Sequence, residues 1–308
     1  MLSVQKKIII GSRASLLART QVKIFKEELL KKEKKIKDYN IEEIFLKTSG
    51  DKFLKKKIST YGDKGLFTKE IDEAQLSNNV DLAIHSLKDL PYKLPDGLKI
   101  AGYLKREDYR DALVSLEGAS LKSLKSNSII GSSSIRREIQ LKKIRPDLKI
   151  KLIRGNIETR IKKLYKGEYD GILLAMAGLK RLGISKNVTP IRSNLFVPAI
   201  GQGVIAIVAR EKDKELISII KKISNLDTTL EVECERSFLA GFDGSCKTPV
   251  GAIAKVLYKN KKKRIKFRYF GSDLLGKKIK TGKSLLEIIN CKIKCYNLGQ
   301  KISRNCNI

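Results

Sequence analysis

Residues 80–91 read Val80-Asp-Leu-Ala-Ile-His-Ser-Leu-Lys-Asp-Leu-Pro91. The apolar run Leu82 to Ile84 predicts a buried strand, and Pro91 stops regular structure just beyond it. Between them His85-Ser86-Leu87-Lys88-Asp89 puts an imidazole, a hydroxyl, an ammonium and a carboxylate at the carboxyl end of that strand. In α/β proteins this is where ligands bind. By composition alone the same residues also fit a polar turn, so the rest of the chain has to decide.

Working outward, the first hundred residues alternate strand and helix. Strands are predicted at 7–10 and 41–46 and helices at 16–32 and 68–78. Asp51 to Asp63 is Lys-rich, without a clear period, and is expected to form a loop. Such alternation predicts a parallel sheet. The pattern restarts after Asp111, with strands at 128–131, 149–153 and 170–175 and helices opening at 132–137 and 157–166. A strand at 203–209 is expected to return to the first domain. Helices at 214–224 and 230–240, antiparallel strands at 250–258 and 264–269, and a last helix near 284–290 describe a small α+β unit. The expected fold class is therefore two α/β domains and a smaller α+β C-terminal domain. The expected boundaries are 1–104 with 200–222, 105–199 and 223–308. No internal repeat at solenoid spacing is present.

The 308 residues, 42% hydrophobic, suffice for two or three domains with their own cores. A formal net charge of +32 favours anionic partners: nucleic acid, an acidic membrane or a polyanionic small molecule. Dispersed Lys beside many Ile and Asn fits an AT-rich coding bias equally well. No stretch is apolar enough to span a bilayer, and Met1 to Lys7 is too short and polar for a signal peptide. Five cysteines without a secretory signal suit free thiols in a reducing, cytoplasmic compartment. One histidine, with Cys291 and Cys295 four apart, does not make a four-ligand metal site, and no metal is expected.

Three strand-to-helix junctions share one chemistry: Gly11-Ser-Arg13-Ala-Ser15, Gly131-Ser-Ser-Ser134-Ile-Arg136-Arg137, and Arg154-Gly-Asn156 with Arg160 one turn on. Each brings the N–H groups of a helix start together with hydroxyls and guanidiniums, and both favour carboxylates or phosphates. A single junction reads equally as Ser capping with solvated Arg; three in one chain favour an anionic ligand. None is a P-loop. In Phe242-Asp-Gly-Ser-Cys246-Lys-Thr-Pro249, Lys247 would favour the Cys246 thiolate. A buried, inert cysteine is the other reading of that loop.

Taken in order, these motifs, with Lys64-Gly-Leu-Phe67-Thr-Lys-Glu70, Arg106-Glu-Asp108 and Arg110-Asp-Ala112, resemble the porphobilinogen deaminase (hydroxymethylbilane synthase) family from about residue 8 to 254. The resemblance fades beyond about residue 255. It implies two domains like those of periplasmic binding proteins, with a cleft between them, and a third that carries a covalent dipyrromethane on a loop cysteine, by position Cys246. It implies that four porphobilinogen molecules are joined head to tail with loss of ammonia, as a step of heme and tetrapyrrole biosynthesis. Asp89 would be the catalytic carboxylate. Lys88, Asp89, Ser134, Arg136 and Arg137 would hold the cofactor; Arg13, Ser15, Phe67, Ser86, Arg154, Arg160 and Arg181 would meet the substrate. The implied protein is a cytoplasmic monomer that binds neither nucleic acid nor membrane and passes its product to uroporphyrinogen-III synthase. A solute-binding protein of the same two-domain fold and a basic nucleic-acid-binding protein are the alternative classes. The first has no need of Cys246 or Asp89. The second calls for a basic stripe with stacking aromatics, whereas aromatics are 6% of this chain.

Overall fold

A computed structural model describes residues 6–34, 36, 39–52, 65–242, 248–259 and 262–306. These fall into two compact units, one built from residues 6–52, 65–106 and 204–229 and the other from 107–203 and 230–306.

The first unit begins with β1 (Lys7–Arg13), α1 (Leu16–Lys32), β2 (Asn40–Leu46) and the single turn α2 (Ser49–Lys52). It continues with α3 (Lys69–Leu76), β3 (Leu82–Ser86) and β4 (Leu98–Tyr103). Ser15 caps α1 by accepting the Ala18 N–H at 3.3 Å. Ala18, Val22, Phe25 and Leu29 recur at helical spacing and bury one face of α1 against Ile8 and Ile10 of β1 and Leu82 and Ile84 of β3.

The second unit opens with β5 (Asp111–Ser115), β6 (Ile129–Gly131), α4 (Ile135–Ile144), β7 (Lys149–Lys151) and α5 (Ile157–Tyr165). It goes on with β8 (Gly171–Ala175), α6 (Met176–Arg181) and β9 (Val188–Pro190). The chain then returns to the first unit as β10 (Ile205–Arg210) and α7 (Lys214–Ile223). The strand expected to return does so: β10 lies antiparallel between β3 and β4.

The two large sheets share one plan. The first runs β2-β1-β3-β10-β4 and the second β7-β6-β8-β5-β9. In each, three parallel strands are followed by one antiparallel strand at the fourth position, β10 or β5. The expected parallel sheets are thus mixed: β10 joins the first after the strands of the second unit, and β5, the first strand of the second unit, lies antiparallel between β8 and β9. All six residues of β10 are buried, as a strand covered on both faces requires.

The smaller α+β part contains α8 (Leu226–Phe242), β11 (Val250–Lys259), β12 (Lys262–Ser272), β13 (Ile279–Glu287) and α9 (Cys291–Cys306). Its antiparallel sheet β11-β12-β13 packs Val250, Ala252, Ala254, Ile265 and Phe267 against α8 and α9. The helix expected near 284–290 is a misreading. Ser284 to Glu287 belong to β13, paired residue for residue with Arg264 to Phe267, and the helix starts only after Asn290, whose φ is +61°. The buried face of α9 is Cys291, Cys295, Gly299, Ile302, Ser303 and Cys306. These are mostly small residues, so the helix lacks the aliphatic period that betrays one in a sequence. Among the described residues no helix is long and apolar enough to cross a membrane.

Candidate functional site

In the first unit, β1 and β3 are parallel neighbours in the register Ile10↔Leu82 and Gly11↔Ala83. Their carboxyl ends therefore deliver Arg13 and His85-Ser86 side by side. Only a glycine fits at position 11, because a Cβ there would stand 2.7 Å from Cγ1 of Val80. Leu82 and Ile84 enter the core on the α1 side, which puts Ser86 on that side and His85 on the other. Ser86 accepts the Gln21 amide at 2.8 Å, leaving its own proton to donate.

Beyond β3 the chain makes a 3-10 turn, Leu87–Asp89. Leu87 and Leu90 are both buried, and the Leu87 N–H donates to the Val204 carbonyl at 3.0 Å. Two buried leucines thus peg the turn at both ends, and half-buried Lys88 and Asp89 are held between them. The Arg13 guanidinium lies over the Phe67 ring. His85 is 4% exposed, and its Nε2 has no hydrogen-bond partner. Burial, with a smaller contribution from the Arg13 charge, lowers its pKa to about 4, so it is neutral at pH 7. That suits an orienting group and not a working acid.

In the second unit, Ser134 caps α4 by accepting the Arg137 N–H at 3.4 Å. Arg136 and Arg137 follow at once, and both are buried. Part of their donor capacity goes to Asp111 on β5. Nη1 of Arg136 reaches Oδ2 at 3.0 Å, and Nη2 of Arg137 reaches Oδ1 at 2.7 Å. Burial opposes the charge on Asp111, but the two guanidiniums outweigh it and hold the carboxyl well below the usual carboxylate range. Asp111 lies within the Arg110-Asp-Ala112 motif, yet the sequence carries no signal for this role.

Arg154, three residues beyond β7, is buried. The next residue, Gly155, has φ +110°, and its carbonyl accepts Nε of Arg160 at 2.7 Å, tying the first turn of α5 to the junction. Arg181, at the end of α6, donates through Nη2 to the Gly203 carbonyl at 2.7 Å. Burial lowers its pKa to about 10, with Glu107 opposing, so it stays cationic at neutral pH. Arg13, Arg160 and Arg181 among the expected substrate cations thus have anchoring contacts of their own, which limit where their remaining donors point.

The expected cofactor loop, with Cys246, lies outside the described residues. The other four cysteines, Cys234, Cys291, Cys295 and Cys306, are free and buried. Cys234 and Cys291 stand 3.4 Å apart, sulfur to sulfur. Burial, then Cys234, pushes the Cys291 thiol up to about 11. The Cys295 contact, then burial, pushes Cys234 up as well. Cys234 and Cys291 are therefore protonated at neutral pH and poor nucleophiles. The buried cations suit a group that carries several carboxylates. Among the described residues, no three His, Cys, Asp or Glu side chains are placed to hold a metal ion.

The two α/β sheets share one strand plan, and each presents arginines and a helix-capping serine at its strand ends. Residues 8–218 match the family model described as "Porphobilinogen deaminase, dipyromethane cofactor binding domain", and residues 229–305 match the porphobilinogen deaminase C-terminal domain. A relative from Exiguobacterium sibiricum is 46% identical over 82% of this chain and 81% of its own. One from Oceanobacillus iheyensis is 45% identical over 81% and 80%, and one from Nitrobacter hamburgensis 44% over 80% and 78%. All three are named porphobilinogen deaminase. Among solved structures, a putative methionine-binding lipoprotein from Bacillus subtilis aligns with 72% of this chain and 92% of its own, at TM-score 0.44 and 15% identity. The chain belongs to the porphobilinogen deaminase family.

Proposed function

We propose that this chain is a transferase that joins four porphobilinogen molecules head to tail, releasing ammonia at each coupling and hydroxymethylbilane at the end by hydrolysis. The turn that pegs Lys88 and Asp89 at the end of β3, in a chain of this family, carries the reading. A bound dipyrromethane supplies the pyrrole to which the first substrate is joined, and Cys246 is its attachment point.

The chain's own residues do the rest. Porphobilinogen brings two carboxylates per ring. Arg13, Arg154, Arg160 and Arg181, with Ser15 and Ser86, bind and orient these carboxylates, and Phe67 stacks on the ring. Lys88, Ser134, Arg136 and Arg137 hold the carboxylates of the cofactor. Loss of ammonia leaves a cation on the substrate, and Asp89 faces it and stabilises it electrostatically. The same carboxylate then takes the proton that the pyrrole carbon releases after bond formation.

The chain works as a cytoplasmic monomer of three domains, at 1–104 with 200–222, 105–199 and 223–308, and hands its product to uroporphyrinogen-III synthase. Intact-protein mass under denaturing conditions tests the reading. We expect a covalent increment of two pyrrole units and a colour with Ehrlich's reagent. A protein without the increment that still binds porphobilinogen would be a binding protein instead.

A further inference from the structure

The second unit buries one carboxylate among side chains from two other parts of the chain. Asp111, the first residue of β5, is 0% exposed. Its Oδ1 accepts Nε of Arg137 at 2.9 Å, Nη2 of Arg137 at 2.7 Å and Nε2 of Gln202 at 3.1 Å. Its Oδ2 accepts Nη1 of Arg136 at 3.0 Å.

The outer bonds of the two arginines are equally specific. Nη1 of Arg137 donates to the Leu173 carbonyl at 2.8 Å, and Nη1 of Arg136 to the Val197 carbonyl at 2.5 Å. Arg136 therefore spends a single nitrogen on both its partners. Its Nε and Nη2 make no hydrogen bond among the described residues. Gln202 also donates to the Tyr109 carbonyl at 2.8 Å, so the node ties the segment entering β5 to the segment leaving the unit.

Two adjacent guanidiniums repel each other. One carboxylate between them removes that repulsion and still leaves a single net positive charge. Two nitrogens of Arg137 meet Oδ1, which sets the plane of that guanidinium, and Arg136 is anchored at Nη1 between Oδ2 and the Val197 carbonyl, which leaves its Nε and Nη2 as the donors to spare.

We propose that Asp111 is a positioning residue for cofactor capture, holding Arg136 and Arg137 as a pair so that Nε and Nη2 of Arg136 meet a carboxylate of the pyrrole chain. This rests on the proposed function. It gives Asp111 a part in the reaction without contact with the reacting atoms.

The test uses apo-protein from a host that cannot make porphobilinogen. Porphobilinogen is added, and the covalent adduct is followed by intact mass. A wild-type chain that takes up no adduct overturns the proposed function itself. Given wild-type loading, Asp111→Asn, which keeps the shape and loses the charge, is expected to load at least ~10-fold more slowly, the scale of one lost charge-assisted contact. Its loaded fraction is expected to show a reduced kcat at unchanged KM, because these arginines hold the cofactor and not the incoming substrate. Asp111→Glu keeps the carboxylate and is expected to load faster than Asp111→Asn but more slowly than wild type. Wild-type loading by Asp111→Asn overturns the inference. Should Asp111→Asn fail to fold, Asp111→Glu decides: its oxygens are displaced by one methylene, so slower loading supports the inference and a wild-type loading rate and kcat overturn it.

Discussion

The guanidinium of Arg13 lies over the ring of Phe67, 4.6 Å from its centroid. Arg13 ends β1 and Phe67 precedes α3, so the contact fixes a long side chain that would otherwise sample several rotamers. A cation over an aromatic face is worth about 0.5–2 kcal/mol, more as water is excluded. Phe67→Leu keeps most of the apolar volume and removes the ring. We expect the variant to fold as wild type and its KM for porphobilinogen to rise about 3- to 10-fold, the equivalent of ~0.6–1.4 kcal/mol. Steady-state kinetics decide it, and an unchanged KM would show that Arg13 needs no ring to hold its place.

Asp89 stands between two pegs, Leu87 and Leu90, which are each 2% exposed. Asp89→Asn therefore changes charge without changing the turn. Loss of one well-placed electrostatic group costs about 100- to 1000-fold in rate. We expect Asp89→Asn to bind porphobilinogen and lose nearly all turnover. Turnover at the wild-type rate would exclude Asp89 as the group that faces the developing cation.

Periodicity in the sequence marks some of these elements and leaves others unmarked. The strands Leu82–Ser86 and Ile205–Arg210 are legible because buried strands are apolar runs ended by polar residues. The strand Leu98–Tyr103 is not, because Gly102 interrupts it, and a Cβ there would lie 2.9 Å from Cγ2 of Ile220 on α7. The strand Asp111–Ser115 begins with a buried carboxylate, which no local pattern marks as core. Its neutralising partners, Arg136 and Arg137, stand 25 and 26 residues further on. Serines and arginines at the helix starts stand out in the sequence; the contacts that aim them do not, since Leu173, Val197 and Gly203 contribute only backbone carbonyls.

The four described thiols, Cys234, Cys291, Cys295 and Cys306, are all buried. Cys246→Ser is expected to yield a protein without the covalent adduct, since a hydroxyl is a far weaker nucleophile than a thiol near pH 7. Cys295→Ser should keep the adduct. It should unfold more readily, by about 1–3 kcal/mol, because it puts a hydroxyl into the apolar core between α8 and α9. Peptide mapping by mass spectrometry and denaturant unfolding read the two effects separately. An adduct found on Cys234, Cys291, Cys295 or Cys306 would move the cofactor to another part of the third domain.

Two buried groups of the first unit should make opposite contributions to stability in mild acid. His85 falls from 6.5 to about 4 on folding, through burial and then the Arg13 charge. Asp72 rises from 3.8 to about 6, through burial, with Thr68 opposing and Glu73 and Glu70 adding. Between about pH 4 and 6 the unfolded chain carries its proton on His85 and the folded chain carries one on Asp72. For these two groups the proton counts of the two states are equal, and their slopes cancel. Removing either group exposes the other. In His85→Gln the folded state alone holds the extra proton, so stability should fall as pH rises through this window. In Asp72→Asn the unfolded state alone holds it, so stability should fall as pH drops. Each slope should be about 1.4 kcal/mol per pH unit, up to roughly 3 kcal/mol in all. Urea unfolding of wild type and both variants at half-unit steps from pH 4 to 6.5 measures this. Parallel profiles for the three proteins would mean that neither group changes its proton on folding.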